Sequence, residues 1–179
     1  MNGGGILTNW GCYDLDYLLG ITGWRLQPQT VLAQTWTAPP SFESHVAPGS
    51  DAETHLVALI RCAGGVAITY ERAEYAVALE ENSWEIIGDR GSLVLQMTPS
   101  ADKRMTFVAA DVNLGTTSET IWSGSDSWDI GHVGPVTDFA YAIQTGCTPQ
   151  TDLQRALVVQ EITDAIYRSA QSGEAVRLD

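Results

Sequence analysis

Three polar residues near the amino terminus have the types and spacing needed for acid–base chemistry on a hydroxyl-bearing substrate. Asn9, Tyr13 and Asp16 are separated by four and three positions, so on a helix their side chains project from one face. In that arrangement Tyr13 exchanges a proton, Asn9 orients it or the substrate, and Asp16 accepts hydrogen bonds from hydroxyl groups. The same spacing is equally consistent with buried hydrogen bonds to neighbouring loops. At this point both interpretations stay open.

A helical pattern surrounds these residues. Apolar and aromatic side chains recur at spacings of three and four, as one face of a helix requires: Ile6, Trp10, Tyr13 and Tyr17. Gly20 and Gly23 indicate where this helix ends. The glycines at 3–5 suit a close backbone approach just before it.

The remainder of the chain is predicted to contain a run of strands followed by two helices. The predicted strands are Thr30–Thr37, Thr54–Arg61, Gly65–Arg72, Ser83–Ile87, Ser92–Met97, Arg104–Val112 and Thr117–Trp122. The first closing helix is expected over Val136–Thr145, and Thr151 is expected to cap the second. This order predicts an α+β fold in one domain over residues 1–179, with an open, mainly antiparallel or mixed sheet and helices packed on one face.

The composition argues against several classes of function. The net charge is −13, which would repel nucleic acid and anionic membrane surfaces. No apolar run approaches the roughly 18 residues that cross a bilayer. The three cysteines and three histidines have no metal-ligand spacing. A reduced, cytoplasmic protein without a metal is the simplest expectation.

The helical segment at residues 3–19 also resembles a known signature. It reads GGGILTNWGCYDLDYLL and is similar to the glycine-rich helix start of the glucose–fructose oxidoreductase/inositol dehydrogenase/MocA family. Two later segments resemble the same family in the same order. Residues 84–93 are similar to its strand–turn–strand element, and residues 135–170 to its closing helices.

The resemblance implies that this chain corresponds to the second of two domains in the family. The C-terminal α+β domain supplies a substrate pocket and an open sheet that mediates oligomerisation, and an N-terminal Rossmann domain binds NAD or NADP. This sequence has no G-x-G-x-x-G opening a βαβ unit. Its one lysine, Lys103, lacks the Glu-Lys-Pro context of the family's catalytic lysine. We therefore expect this chain alone to bind no cofactor and to transfer no hydride.

The resemblance also assigns roles to particular residues. The family's catalytic histidine falls at Tyr13 and its aspartate at Asn9, so this chain departs from the pattern at both positions. A tyrosine at the first position can still donate a proton to an alkoxide. The asparagine orients without supplying a charge. We expect Asp16, Trp10 and His132 to contact a sugar- or polyol-like substrate, since tryptophan rings offer stacking platforms for sugar rings. For His132 a solvent-exposed or capping position is the simpler expectation, and most of the six tryptophans are expected in the core or at interfaces.

Three charged residues are weaker candidates for the substrate pocket. Glu71, Arg72 and Glu74 lie near a predicted strand end and could line the pocket, although a solvent-facing position is the simpler expectation.

The open face of the sheet is expected to form a homodimer or a higher assembly.

Two alternatives to an oxidoreductase half stay open. One is a cofactor-free isomerase, epimerase, lyase or cyclase that uses the retained pocket. The other is a non-catalytic binding or scaffold module that assembles through the sheet. In the leading interpretation the Rossmann domain is supplied by the same polypeptide or by a separate subunit.

Overall fold

The computed structural model describes residues 4–78, 82–98 and 100–178, apart from the side chains of residues 128–130 and 132. The elements follow one another as a π-helical turn at Leu7–Gly11, α1 (Cys12–Ile21), β1 (Pro28–Thr37), a 3-10 helix at Pro40–His45, β2 (Glu53–Cys62), a 3-10 turn at Ala63–Gly65, β3 (Ala67–Ala73), β4 (Trp84–Ile87), β5 (Ser92–Leu95), β6 (Lys103–Asp111), β7 (Gly115–Gly124), α2 (Trp128–Thr145), α3 (Leu153–Ser172) and β8 (Val176–Arg177). The chain divides into two compact units, Met1–Ala78 with Asp152–Asp179, and Leu79–Thr151.

The first unit is an antiparallel sheet covered by helices on one face. Its strand order is β3-β2-β1-β8, and each pair of neighbours is antiparallel. Alternate side chains along the strands point into the core, as a two-residue period requires. There they pack against α1 and α3 in one cluster, of which the fully buried members are Leu7, Leu19, Val31, Leu56, Ile60, Ile162, Ala165 and Ile166.

The opposite face of this sheet carries apolar side chains that remain exposed. Leu32 lies directly across from Leu59 in the register of β1 and β2. Trp36 and Val57 share this face, and all four side chains are exposed. We call these four residues the open face. An exposed apolar strip on a sheet is typical of an interaction surface.

The second unit contains another antiparallel sheet and α2. Its strand order is β4-β5-β6-β7, and the predicted turn at residues 88–91 joins β4 to β5. Gly91 has a φ of 151°, and an added Cβ there would approach the Phe107 ring at 2.6–2.7 Å. Glycine is therefore required at this turn both for its conformation and for its close contact.

The structure confirms the α+β class and the antiparallel pairing. It divides the described strands between two four-stranded sheets, where the sequence patterns predicted one sheet. Strand patterns report which residues extend, but they do not report which strands become neighbours, because pairing depends on distant parts of the chain.

Two predicted helix starts are wrong. The helix expected to begin at Val136 begins at Trp128 and contains Pro135 within it. A proline is commonest in the first turn of a helix, and that preference misplaced the start. The closing helix is capped by Asp152, whose Oδ1 accepts the Arg155 N–H at 2.8 Å, and not by Thr151. The predicted ends at Gly146 and Gly173 are confirmed, each with a φ of 72°.

Candidate functional site

The predicted motif helix is present, and it begins with an unusual turn. Residues Leu7–Gly11 form a π-helical turn that continues directly into α1. Such single π turns occur frequently at functional sites, because the wider turn redirects the side chains that follow. Asn9 and Trp10 lie on this turn, and Tyr13 follows it in α1.

A glycine and a buried glutamate fix the start of this helix on the sheet. A Cβ on Gly5 would collide with the backbone carbonyl oxygen of Glu53 in β2, so only glycine fits there. The Glu53 carboxylate accepts a hydrogen bond from the Leu7 N–H at 3.0 Å. A carboxylate at this position also suits the positive end of the helix.

Helix α3 completes this anchor. The Tyr167 hydroxyl donates to Glu53 Oε1 at 2.8 Å. Its oxygen lies 2.9 Å from Thr8 Oγ1, and Thr8 is the donor there because the tyrosine proton is already used. Burial, above all, raises the pKa of Tyr167, so this hydroxyl stays a donor. The backbone that carries Asn9 is thereby held from both β2 and α3.

Two of the predicted site residues are exposed beside an aromatic ring. Tyr13 is 62 % exposed, Asn9 is exposed and Trp10 is half-buried. The ring centroids of Trp10 and Tyr13 are 6.0 Å apart with their planes tilted by 59°. Among the described residues, neither the Asn9 amide nor the Tyr13 hydroxyl has a hydrogen-bond partner. Buried hydrogen bonds to loops therefore do not account for these two residues, and both are accessible to a ligand.

The third member of the predicted trio lies in a different environment. Asp16 is half-buried, and burial raises its pKa while the charge of Arg155 on α3 opposes that shift. Arg155 also lies over the Trp24 ring, 5.4 Å from the centroid. Asp16 thus interacts electrostatically with α3, whereas Asn9, Trp10 and Tyr13 form the exposed surface.

The structure places a further charged cluster directly behind that surface, and the sequence patterns missed it. Asp14 is only 2 % exposed, and its Oδ2 accepts a 2.8 Å hydrogen bond from the Tyr70 hydroxyl. Arg72 Nη1 lies 3.7 Å from Asp14 Oδ1. The Arg72 guanidinium lies over the Trp10 ring, 4.6 Å from the centroid.

A signal for this cluster exists in the sequence. Asp14 lies three and seven positions after Gly11 and Leu7, which places a carboxylate on the buried stripe of the helix. Tyr70 and Arg72 are two positions apart on β3, so their side chains point to the same face of the sheet. The expectation that Arg72 faces solvent is therefore wrong, whereas Glu71 and Glu74 are exposed as expected. The Glu71 Oε1 atom lies 2.9 Å from His55 Nε2.

Two residues that the sequence analysis named fall outside what the structure describes. His132 belongs to α2 in the second unit, but its side chain lies outside the described residues, and Gly3 lies outside them as well. The contact of His132 with substrate stays a prediction. The described part of the chain contains no group of three or more His, Cys, Asp or Glu side chains placed to hold a metal ion.

The described strands form no parallel βαβ unit. Dinucleotide binding uses a glycine-rich loop between a strand and a helix in a parallel βαβ unit. Every pairing between the described strands is antiparallel. In the same part of the chain, no helix is long and apolar enough to span a membrane.

Comparisons with known proteins identify the family of this chain. The family described as "Oxidoreductase family, C-terminal alpha/beta domain", the GFO_IDH_MocA C-terminal family, matches residues 1–178. The chain belongs to this family. A second similarity is to D-xylose 1-dehydrogenase (NADP(+)) 2 of Haloferax volcanii, with 37% identity over 71 residues, which are 40% of this chain and 22% of that protein.

Solved structures of oxidoreductases share the fold of this family member. Levoglucosan dehydrogenase in complex with NADH has a TM-score of 0.78 at 21% identity, over 99% of this chain and 51% of that one. An oxidoreductase domain protein from Kribbella flavida has a TM-score of 0.74 at 20% identity, over 98% and 52%. For myo-inositol 2-dehydrogenase from Lactobacillus plantarum the values are 0.68 and 19%, over 100% and 50%. The chain therefore spans about half the length of these structures.

Proposed function

We propose that this chain is the substrate-binding half of an NAD(P)-dependent oxidoreductase that acts on a sugar or polyol. The observation that carries the proposal is the exposure of Asn9 and Tyr13 beside Trp10 on a helix anchored at its start. Relatives that act on xylose, levoglucosan and myo-inositol, by their names, support the substrate class. The NAD or NADP site belongs to a Rossmann domain, supplied in the same polypeptide or by a second subunit.

Each exposed residue has a role in this proposal. The apolar face of a sugar ring packs against Trp10. The Tyr13 hydroxyl moves a proton to or from the reacting oxygen of the substrate, and the Asn9 amide orients that oxygen or the phenol. Asp16 accepts hydrogen bonds from the remaining hydroxyl groups. The chain by itself binds no nicotinamide cofactor and transfers no hydride.

The open face of the first sheet supports a role in assembly. Leu32, Trp36, Val57 and Leu59 are exposed on one side of the sheet, and burying apolar surface contributes about 25 cal/mol per Å². A second copy of this chain placed against this face would remove it from water. We propose a homodimer, or a higher assembly, built through this contact.

Binding experiments on the chain itself test the substrate proposal. Saturation-transfer NMR with D-xylose, levoglucosan and myo-inositol should show binding of at least one of them, and Trp10→Ala should abolish it. Tyr13→Phe should weaken binding about fivefold, the value of one hydrogen bond. Tyr141→Phe is the matched control, because Tyr141 is 60 % exposed and Tyr13 62 %. Failure of all three ligands to bind would contradict the proposal.

Two further readouts separate the alternatives. Calorimetry with NAD⁺ and NADP⁺ should show no binding. A micromolar dissociation constant for either cofactor would contradict the assignment of the cofactor site to the Rossmann domain. Incubation of the chain with the same sugars in deuterium oxide should give no hydrogen exchange. Exchange that depends on Tyr13 would favour a cofactor-free proton-transfer enzyme instead.

The size of the natural protein tests the cofactor half of the proposal. An antibody against this chain should detect a polypeptide of about twice this mass in a lysate of the source cells. If it detects a polypeptide of this mass instead, a second subunit with a Rossmann domain should co-purify with it. A polypeptide of this mass that co-purifies with no such subunit would contradict it.

A further inference from the structure

Asp14 is a buried carboxylate that the proposed chemistry does not use. It follows Tyr13 directly in the chain, yet it points into the core while Tyr13 is exposed. Its Oδ2 is held by the Tyr70 hydroxyl at 2.8 Å. Its Oδ1 accepts no hydrogen bond from the described residues. A buried carboxylate is costly unless it is paired, so a charge at this position needs a reason.

Arg72 connects this carboxylate to the exposed surface. Its Nη1 lies 3.7 Å from Asp14 Oδ1, and its side chain is 20 % exposed. The same guanidinium lies 4.6 Å from the centroid of the Trp10 ring. A cation at this distance from an indole face is attracted to it. One arginine thus contacts the buried carboxylate on one side and the Trp10 ring on the other.

We propose that Asp14 is a positioning residue, which acts through Arg72 to hold the Trp10 ring beside Tyr13 as the wall of the sugar-binding surface. The part that concerns sugar rests on the proposed function. The part that concerns Trp10 does not, because it follows from the contacts of Asp14, Arg72 and Trp10 alone.

Protonation of Asp14 should therefore be visible at Trp10. Burial raises the pKa of Asp14, while the Tyr70 hydrogen bond and the Arg72 charge oppose that shift. Among the described residues, the titratable and charged groups near Asp14 are Tyr70 and Arg72 on β3 and Cys12 and Asp16 on its own helix. On α3, Arg155 acts on Asp16. When Asp14 takes up a proton, the charge that draws Arg72 is lost, and Trp10 is released from the guanidinium.

Fluorine NMR of 5-fluorotryptophan-labelled protein tests this directly. The chain has six tryptophans, and Trp10→Phe assigns the Trp10 signal. In the wild type that signal should shift with pH, with a midpoint above about 3.9, the ordinary value for an aspartate. In Asp14→Asn it should lie at its acid position at every pH. In Tyr70→Phe the midpoint should move to higher pH, because the ionised form loses a hydrogen bond.

Arg72→Gln is the deciding variant, because Arg72 is partly exposed and its replacement leaves the core intact. The Trp10 signal should then lose its pH response while Asp14 is still present. The Trp24 signal is the internal control, since Arg155 lies over Trp24 whereas Arg72 lies over Trp10; the Trp24 signal should be the same in all variants. A Trp10 signal in Asp14→Asn that coincides with the wild type at neutral pH would overturn the inference. So would a pH response that survives in Arg72→Gln.

Sugar-binding measurements distinguish failure of the proposed function from failure of the positioning role of Asp14. Asp14→Asn and Arg72→Gln should each weaken the binding of the sugar that binds the wild type by about fivefold. Unchanged affinity in both variants would overturn the role of Asp14 in forming the sugar surface. If the wild type binds no sugar, the proposed function fails, and the fluorine spectra still decide whether Asp14 positions Trp10.

Discussion

The Tyr167 hydroxyl donates a 2.8 Å hydrogen bond to the Glu53 carboxylate, across 114 positions of the chain. The same carboxylate oxygen accepts the Leu7 N–H, so α3, β2 and the π-helical turn meet at one oxygen. Glu53 is 8 % exposed, which leaves it dependent on these donors. The placement of Asn9 on the exposed surface follows from this junction.

Removing the Tyr167 hydroxyl should therefore destabilise the first unit. Tyr167→Phe leaves a buried carboxylate with one donor fewer, which costs about 1–3 kcal/mol. Urea denaturation should show a lower midpoint with an unchanged slope. Tyr141→Phe, at an exposed position, is the control and should unfold like the wild type. Equal midpoints for the wild type and Tyr167→Phe would show that the bond contributes nothing net.

Two glycines, Gly5 just before the helical turn and Gly20 within α1, should respond oppositely to alanine. Gly5→Ala should destabilise the protein by more than about 3 kcal/mol or prevent folding, because the new Cβ meets the Glu53 backbone, which cannot move aside. Gly20→Ala meets only the end of the Trp24 side chain, 4.0 Å away, and should stabilise α1 by up to about 1 kcal/mol. Thermal unfolding followed by circular dichroism measures both. A tolerated Gly5→Ala would contradict the close contact between the helix start and β2.

The stability of the protein should depend on pH through Asp14. Burial raises the folded-state pKa of Asp14 above its unfolded value of about 3.9, so the folded state binds this proton more readily. The contribution of Asp14 to stability is then full below the unfolded value and is lost as the pH rises through the folded one. Relative to Asp14→Asn, the wild type should gain stability as the pH falls from neutral towards 4. Urea unfolding across this range checks the sign. A stability difference between the two proteins that does not vary with pH would contradict it.

A charge on the open face should separate the proposed dimer. Leu59→Glu places two like charges near each other when two copies meet, and it removes apolar area from the contact. Light scattering should show a monomer for this variant and a dimer or a larger assembly for the wild type. Val66→Glu is the matched control, since Val66 is 44 % exposed, close to the 41 % of Leu59, but lies on a turn outside the strands. A wild type that stays monomeric at high concentration would exclude the proposed assembly.

Local patterns were sufficient for most elements of the fold. The strands from β1 to β3 and the ends of both closing helices follow from alternation and from glycines, which act over a few residues. The starts of α2 and α3 were misplaced, because Pro135 and Thr151 each satisfy a local preference that the folded chain does not use there. The division of the strands into two sheets depends on pairing and has no local signature.

The sequence by itself determined the family and the motif helix, because the motif and its spacing are local properties of one segment, but it left open whether Asn9 and Tyr13 face a substrate or hydrogen-bond to neighbouring loops. Only the tertiary structure decided what lies behind that pair. Asp14 meets Tyr70 across 56 positions, and Arg72 reaches Trp10 only because β3 lies beneath the helix. Contacts between distant segments depend on strand register and helix orientation, which packing of the whole core sets. The carboxylate that holds the exposed surface in place therefore became visible only in the folded chain.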